Sequence, residues 1–240
     1  MKNSILVALA FLLCIACKTE TKKPEPYEED IEIRDPKNIN QNKTKIRTTA
    51  EAIAYANGLK HWDNVTEIKF TFNVDKDSTH FERSWSWKPK QNKVTKITEN
   101  DTITYNRTKV DSISLKTDQQ FVNDKYWLLA PFNLVWDSQS FATKHYVKSI
   151  APMSGKEMQK LTIIYNNQDG YTPGDAYDFY FEGDFMIKEW VFRRKNADDP
   201  SLVTSWEDYQ EYNGIKIAKT HKKDIGDWTL YFDDIEVITQ

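Results

Sequence analysis

Alternating hydrophobic and polar residues extend over most of the chain after His61 and predict a protein built from short β-strands. In the segment 67–74 the alternation is strict, with a hydrophobic set of Ile68, Phe70, Phe72 and Val74. Because side chains in a strand point alternately to opposite faces, this set is expected on a buried face. The intervening polar residues, Thr71 and Asn73 among them, are then expected in solvent.

Further segments with the same period predict additional strands. In one of them Phe81, Trp85 and Trp87 share a face with Arg83. The others are residues 93–99, 102–106, 112–116, 145–150, 160–165, 177–182, 186–193, 206–212, 215–220 and 228–237. Turn residues such as Asn213-Gly214 separate these segments and favour antiparallel hairpins. The absence of a strand-helix-strand rhythm argues against a parallel sheet.

One helix is predicted before the first strand, over residues 49–57. Thr48 and Glu51 have the spacing of a capping box, in which each residue bonds the backbone of the other. Asn57-Gly58 can supply the left-handed conformation that ends a helix.

The segment 121–137 breaks the strand pattern, because it is rich in hydrophobic residues and carries Pro131 in its second half. A central strand cannot use a proline, and a proline interrupts a helix interior. We therefore predict a short helix before Pro131 and a packed irregular segment after it. Together they are expected to form a lid across the open mouth of a curved sheet.

The first residues have the pattern of an export signal. A positive start precedes an apolar run over 5–15, much shorter than the roughly 20 residues of a membrane-spanning helix. Ala16 directly precedes Cys17, which resembles the lipobox of bacterial lipoproteins, although that pattern prefers an aliphatic residue where this chain has Cys14. The resemblance implies a signal peptide over 1–16 and acylation of Cys17, a stable membrane anchor. An ordinary secretory signal or a buried helix are the alternatives.

The stretch 17–47 is polar and contains three prolines, so it predicts a flexible tether that follows the lipidated cysteine. The alternative is that 31–34 adds an edge strand to the domain. Lys18 stands where inner-membrane lipoproteins of enteric bacteria carry Asp, which by resemblance favours the outer membrane. A single domain is then expected over 48–240.

Charge and cysteine usage exclude several classes of function. A formal net charge of -3 leaves no basic excess for a phosphate backbone, so a nucleic-acid partner is not expected. Both cysteines, Cys14 and Cys17, precede the domain, so no disulfide or thiolate metal site is expected within it. The four histidines are widely spaced and no HExxH, GxSxG or glycine-rich phosphate loop occurs. Neither a metal, a cofactor nor a catalytic residue is predicted.

The aromatic content is high, with 8 Trp and 12 Phe in the chain. It favours an apolar cavity inside a curved sheet, which could hold an acyl chain or another hydrophobic molecule. The predicted ligand-binding residues, which would line or close the barrel mouth, are Trp85, Trp87, Trp127, Phe132 and Trp136. The alternative is that these rings fill the core of an all-β domain.

The order of these features resembles a family of bacterial lipoproteins of unassigned function, with the segment 126–137 as the most specific part. Where many relatives carry His-Gly-Gly at the helix end, this chain has Asn57-Gly58-Leu59. The family is distantly similar to the lipoprotein-localisation (Lol) carriers and receptors. That resemblance implies an antiparallel, partly open β-barrel, a half-barrel, around a hydrophobic cavity plugged by helices.

These observations predict a mainly β protein, a half-barrel with an N-terminal helix and a short helical lid, anchored in the bacterial envelope. Its expected function is non-catalytic binding of a lipid or of a lipoprotein acyl chain. One alternative is an interaction lipoprotein with a filled core that docks an envelope partner. Another is a hydrolase that uses carboxylates brought together by the fold.

Overall fold

The computed structural model describes residues 31–32, 46–168 and 170–240. The predicted signal peptide, the lipidation site Cys17 and most of the predicted tether lie outside the described residues. Within the tether, Ile31–Glu32 pairs antiparallel with Ile46–Arg47, and this two-stranded ribbon joins neither of the large sheets. The flexible character of the tether stays a prediction.

Two helices and fourteen strands make up the regular structure of the described residues. The helices are α1 (Thr49–Ala56) and α2 (Leu115–Trp136), and short 3-10 helices occur at Leu59–Asn64, Pro89–Gln91, Arg107–Lys109 and Arg194–Asn196. The strands are β1 (Ile31–Glu32), β2 (Ile46–Arg47), β3 (Val65–Lys76), β4 (Thr79–Lys88), β5 (Lys93–Ile97), β6 (Thr102–Asn106), β7 (Phe141–Ile150), β8 (Glu157–Tyr165), β9 (Ala176–Phe181), β10 (Ile187–Arg193), β11 (Leu202–Ser205), β12 (Glu207–Tyr212), β13 (Ile215–Lys222) and β14 (Trp228–Thr239).

Apart from the β1-β2 ribbon, the strands form two antiparallel sheets that meet at one corner. One sheet has the order β11-β10-β9-β8-β7, and the other has the order β12-β13-β14-β3-β4-β5-β6. The chain passes from the first to the second at Trp206, between β11 and β12, where its amide bonds the Lys188 carbonyl at 2.7 Å. The sheets are not closed into a barrel, which confirms the predicted open antiparallel architecture.

The inner face of the curved structure carries the main core. Phe70 and Phe72 of β3 are buried there, as the alternation predicts. The outer face of β3 is less wet than predicted, because Thr71 and Asn73 are also buried. The Thr71 hydroxyl forms hydrogen bonds with Ser84 of β4 at 2.9 Å and with Asp234 of β14 at 3.3 Å. Asp234 lies where the pairing of β14 with β3 shifts register. Neighbouring polar side chains therefore cover this part of the outer face.

Helix α2 differs from its prediction in length and continuity. Residues 112–116, predicted as a strand, form a turn and the start of α2, because the Asp111 carboxylate accepts bonds from the amides of Ile113 and Ser114. The helix then continues past Pro131 to Trp136, so the prediction of an irregular segment after the proline is wrong. Leu129 has non-helical angles (φ -129, ψ 26), and Pro131 therefore lies in the first turn of a second helical segment. A proline is tolerated there because no amide hydrogen bond is lost.

Most strand predictions are confirmed within a few residues, whereas the strands β2 and β11 were not predicted. The capping box of α1 is confirmed, with the Glu51 amide 3.2 Å from the Thr48 hydroxyl. Gly58 follows the end of α1. It has a φ of 100° and lies against Gly214 in the turn between β12 and β13. A side chain on Gly58 would overlap the Gly214 carbonyl oxygen, and one on Gly214 would reach the His61 ring at 2.5 Å.

Candidate functional site

Helix α2 crosses the inner side of the half-barrel and contacts both sheets. Phe121 packs against Trp85 and Trp87 of the seven-stranded sheet, with ring centroids 5.4 and 5.6 Å apart. Six residues later, Trp127 packs against Trp190 of the five-stranded sheet at 4.4 Å. The predicted lid is therefore a long helix that is packed into the sheet.

A buried ion pair fixes the first half of α2. Asp124 is fully buried and its two carboxylate oxygens accept bonds from the Arg83 guanidinium at 2.7 and 2.6 Å. The Trp85 indole N–H donates to the same carboxylate at 2.8 Å. Burial raises the pKa of Asp124, and the bonds from Arg83 oppose that shift. Removing either charge would leave its partner buried and unpaired, so this contact positions α2 on β4.

A second carboxylate, Asp118, holds the beginning of α2. It accepts bonds from the Arg107 guanidinium at 2.8 Å and from the Tyr105 hydroxyl at 3.0 Å. The side chains of Arg107 and Asp118 are both only partly buried. The contact joins α2 to β6 and to the turn that follows it.

Four of the five predicted ligand-binding residues lie in one aromatic cluster. Trp87, Phe132 and Trp136 surround Trp62, with ring centroids 5.6, 5.5 and 4.6 Å away from it. Trp85 joins the cluster through Phe121.

The Lys125 ammonium group lies 5.2 Å from the Trp136 ring and donates to the Asn133 side chain at 3.1 Å. Burial lowers the pKa of Lys125 to about 8.

The fifth predicted residue, Trp127, lies in a different group. Besides Trp190 it contacts His221 at 5.2 Å and Trp228 at 6.2 Å. His221 is fully buried, and this burial lowers its pKa to about 3. The imidazole is therefore neutral at physiological pH.

A tyrosine cluster fills the space between α2 and the five-stranded sheet. Tyr171, in the loop after β8, stacks on Tyr126 of α2 with ring centroids 3.8 Å apart and planes within 5°. Tyr165 donates to Asp137, which follows the last residue of α2, at 3.2 Å. The aromatic residues of the interior thus pack mainly against one another.

A cleft of about 580 Å³ opens at the free edge of the five-stranded sheet, between β7, the start of α1 and the end of α2. Its hydrophobic lining comes from both helices and from the inner face of β7 and β8: Ala50, Leu134, Val135, Phe141 and Leu161. None of the five predicted ligand-binding residues belongs to this lining.

The polar part of the cleft follows its rim and one wall: Thr48, Thr49, Glu51, Ser138, Thr143 and His145. The Glu51 carboxylate accepts the Thr48 amide at 3.0 Å, so the capping box of α1 forms part of the cleft. His145 lies 3.0 Å from the Gln159 side chain and stacks on Phe181. Among the described residues of this lining, no lysine or arginine occurs.

This cleft is not predicted from the sequence, although the sequence contains two of its features. The capping box marks the start of α1, and Phe141, Thr143 and His145 alternate along β7 on one face. The sequence does not show that β7 is an edge strand. That position follows from the strand order of the folded sheet, in which β7 pairs with β8 alone among the described strands.

In the part of the chain that the structure describes, no group of three or more His, Cys, Asp or Glu side chains could hold a metal ion. No helix among the described residues has the length and hydrophobicity to cross a membrane.

No protein-family model matches the sequence, and neither does any curated protein. Among solved structures, a LolA superfamily protein from Nitrosomonas europaea is similar, with a TM-score of 0.50 at 10% identity over 81% of this chain and 96% of that one. The chain has a LolA-like fold. At this identity the likeness concerns the fold alone, and it confirms the expected distant resemblance to lipoprotein-localisation proteins.

Two further structures match this LolA-like chain at lower scores. A DUF1329 family protein from Desulfovibrio piger has a TM-score of 0.46 at 7% identity, over 79% of this chain and 91% of that one. A domain from Vibrio parahaemolyticus named for outer membrane lipoprotein sorting has a TM-score of 0.42 at 11% identity, over 78% and 93% of the two chains.

Proposed function

We propose that this protein is a lipid-anchored protein of the bacterial envelope that binds a lipid or acyl chain without catalysing a reaction. The observation that carries the proposal is the cleft at the open edge of the half-barrel. Its volume of about 580 Å³ lies within the range of small-molecule sites, roughly 300 to 1,000 Å³. The LolA-like fold supports the assignment to a binding protein.

The hydrophobic part of the cleft lining fits a hydrocarbon chain. Leu134, Phe141 and Leu161 offer a hydrophobic surface, and the polar side chains follow the rim and one wall. A neutral acyl chain can bury its methylene groups against these side chains, each worth about 0.8 kcal/mol.

This proposal places the ligand beside the aromatic cluster. Direct ligand contacts by Trp85, Trp87, Trp127, Phe132 and Trp136 stay a prediction. Phe132 and Trp136 of α2 also pack on Trp62, which gives them an indirect role in holding the helix next to the cleft. The alternating residues of β7 provide the sharper test. Thr143 lines the cleft, whereas Lys144 points to the outer face, beside Thr162.

The experiment compares Thr143→Trp with Lys144→Trp in binding neutral monopalmitoylglycerol, followed by native mass spectrometry. A tryptophan at 143 fills part of the cleft, so we expect affinity to fall at least about tenfold, the effect of losing roughly 1.4 kcal/mol. Lys144→Trp should bind like the unaltered protein. Equal affinities in all three proteins would contradict the cleft as the binding site.

The anchor and the location are part of the same proposal and rest on the N-terminal sequence. Acylation of Cys17 would hold the protein in the envelope, with the outer membrane as the expected membrane and residues 17–47 as a spacer. Mass spectrometry of the N-terminal peptide should show an acylated cysteine, and Cys17→Ala should leave the membrane fraction. A mature N-terminus at another residue would overturn this part alone.

A second candidate function is an interaction lipoprotein, and the packed aromatic interior favours it. On the outer side, a groove of about 330 Å³ lies beside the strongly exposed Ile225. If no acyl compound binds while Ile225→Asp abolishes association with an envelope protein, this second function replaces the first. A hydrolase has the least support, since none of the features described above brings reactive carboxylates together.

A further inference from the structure

Four buried polar groups lie close together where β10, β11 and β13 meet, and none has a hydrogen-bonding partner among the described residues. They are the indole N–H groups of Trp190 and Trp206, the Thr204 hydroxyl and the Nε2 atom of His221. All four side chains are at most 3% exposed. Buried polar groups are nearly always paired, so such a group points to a missing partner.

Contacts between the side chains place them in one group. Trp190 and Thr204 are direct partners in the pairing of β10 with β11. The Trp206 ring lies 5.4 Å from Trp190 and 4.6 Å from His221. Trp127 of α2 covers the group. Trp228 lies beside Trp127 and is partly exposed, so these two rings separate the group from solvent on this side.

The hydrogen-bonding character of the group can be assigned atom by atom. His221 Nδ1 lies 3.2 Å from the Ser205 carbonyl oxygen, so Nδ1 carries the hydrogen and donates it. Burial lowers the pKa of His221 to about 3, and in the neutral ring Nε2 is an acceptor. The two indoles can only donate, and the Thr204 hydroxyl can do either.

Ring contacts account for only part of this group. Trp206 meets both Trp190 and His221 edge to face, at 63° and 74°, a geometry in which an indole N–H can point at a π system. Such a contact does not satisfy the lone pair of His221 Nε2 or the Thr204 hydroxyl.

We propose that Trp190, Thr204, Trp206 and His221 form a buried binding site for one neutral hydroxyl oxygen. A hydroxyl can donate to His221 Nε2 and accept from an indole N–H at the same time. A carboxylate has no hydrogen for Nε2, and an ammonium group has no lone pair for the indoles. The hydroxyl can belong to an internal water molecule or to the end of an amphipathic alcohol.

This site is separate from the cleft, with which it shares no residue, and it does not rest on the proposed function. It gives the predicted ligand-binding residue Trp127 a specific place, as the cover of the hydroxyl site. Thr143→Trp tests the cleft and leaves this site unchanged, so the two ideas can fail independently.

The experiment uses the full chain in detergent micelles, labelled with ¹⁵N-tryptophan, with and without 1-dodecanol. Indole signals of Trp190 and Trp206 are assigned with Trp→Phe variants, and their cross-relaxation with water and with the alcohol chain is measured. Trp85 is the matched control, because its buried indole already donates to Asp124. We expect cross-peaks at Trp190 or Trp206 and none at Trp85.

The two sources of the hydroxyl give different spectra. Water cross-peaks that persist in dodecanol identify an internal water, whereas replacement by cross-peaks to the alcohol chain identifies an amphipathic ligand. Thr204→Val keeps the side-chain shape and removes the hydroxyl, so it should weaken alcohol binding about tenfold or abolish the water cross-peaks. Absence of both kinds of cross-peak at Trp190 and Trp206, or equal cross-peaks at Trp85, would overturn the proposal.

Discussion

The two halves of α2 are held in different ways. Before the kink at Leu129, Asp118 and Asp124 bind arginines of the seven-stranded sheet and of the turn that follows β6. After the kink, residues 130–136 contain no ionisable side chain, and Phe132 and Trp136 pack on Trp62 through ring contacts. Ion pairs at short range fix direction as well as distance, whereas ring contacts tolerate sliding.

The difference has a functional meaning, because the cleft lies beside the second half. Leu134 and Val135 of that half line the cleft. Under the proposed function, a ligand in the cleft would contact the half of α2 that is held by ring contacts.

Replacing Asp124 by alanine should have the largest effect on stability. It leaves the Arg83 guanidinium and the Trp85 N–H buried and unpaired, so we expect a loss of about 3 to 5 kcal/mol in the free energy of unfolding. Urea denaturation measures it. Asp118→Ala is the control, with an expected loss of about 1 kcal/mol because its charged partner is more exposed. Equal, small losses would mean that the first half is not fixed by Asp124.

Acidification should weaken the region under Trp127 through His221. The folded pKa of about 3 lies below the unfolded value, so the unfolded state binds the proton first as the pH falls. Stability is then lost from about pH 6.5 downward, at about 1.4 kcal/mol per pH unit, or about 2 kcal/mol between pH 7 and pH 5. In His221→Phe this share of the pH dependence should be missing. Parallel pH profiles of the two proteins would show that His221 is not buried in its neutral form.

Loss of the α1 cap should act on the cleft side. Thr48→Ala removes the hydroxyl that accepts the Glu51 amide, and we expect a loss of about 1 kcal/mol in thermal or urea unfolding. Thr95→Ala, on an exposed hydroxyl pair with Thr104, should cost less than about 0.5 kcal/mol. If the cap contributes to the cleft, monopalmitoylglycerol should also bind more weakly to Thr48→Ala than to Thr95→Ala.

Pro131→Ala should change stability least, by less than about 0.5 kcal/mol, because Pro131 begins a new helical segment. A proline inside an uninterrupted helix would instead cost about 3 kcal/mol relative to alanine. A stabilisation of that size in Pro131→Ala would show that α2 is one strained helix rather than two segments.

Local patterns in the sequence predicted most of the fold. The alternation of β3, the capping box of Thr48 and Glu51 and the turn at Asn213-Gly214 are each determined by neighbouring residues, and the structure confirms them. The continuation of α2 past Pro131 was not predictable, because it depends on a kink at Leu129 that packing against two sheets maintains.

The candidate site was harder to predict, since it is made by elements far apart in sequence. Aromatic content favoured an apolar cavity, but it cannot distinguish rings that fill space from rings that enclose it. The cleft arises where β7 has no neighbour on one side, and the hydroxyl site arises where β10, β11 and β13 meet. The capping box and the alternation along β7 are visible in the sequence, but each is a local pattern that does not show which distant segments the fold brings together.

The contact between Gly58 and Gly214 has a consequence for how the sequence can change. Each residue has a positive φ, and each would collide with the other's backbone or with His61 if it gained a side chain. Replacing one of the two glycines leaves the other with its own collision. If both were replaced together, both new residues would still have to adopt left-handed backbone angles. In a library of all single mutants these two positions should therefore stand out as intolerant points within turns that otherwise accept replacement, and they should remain glycine in distant variants that keep this helix end against this hairpin.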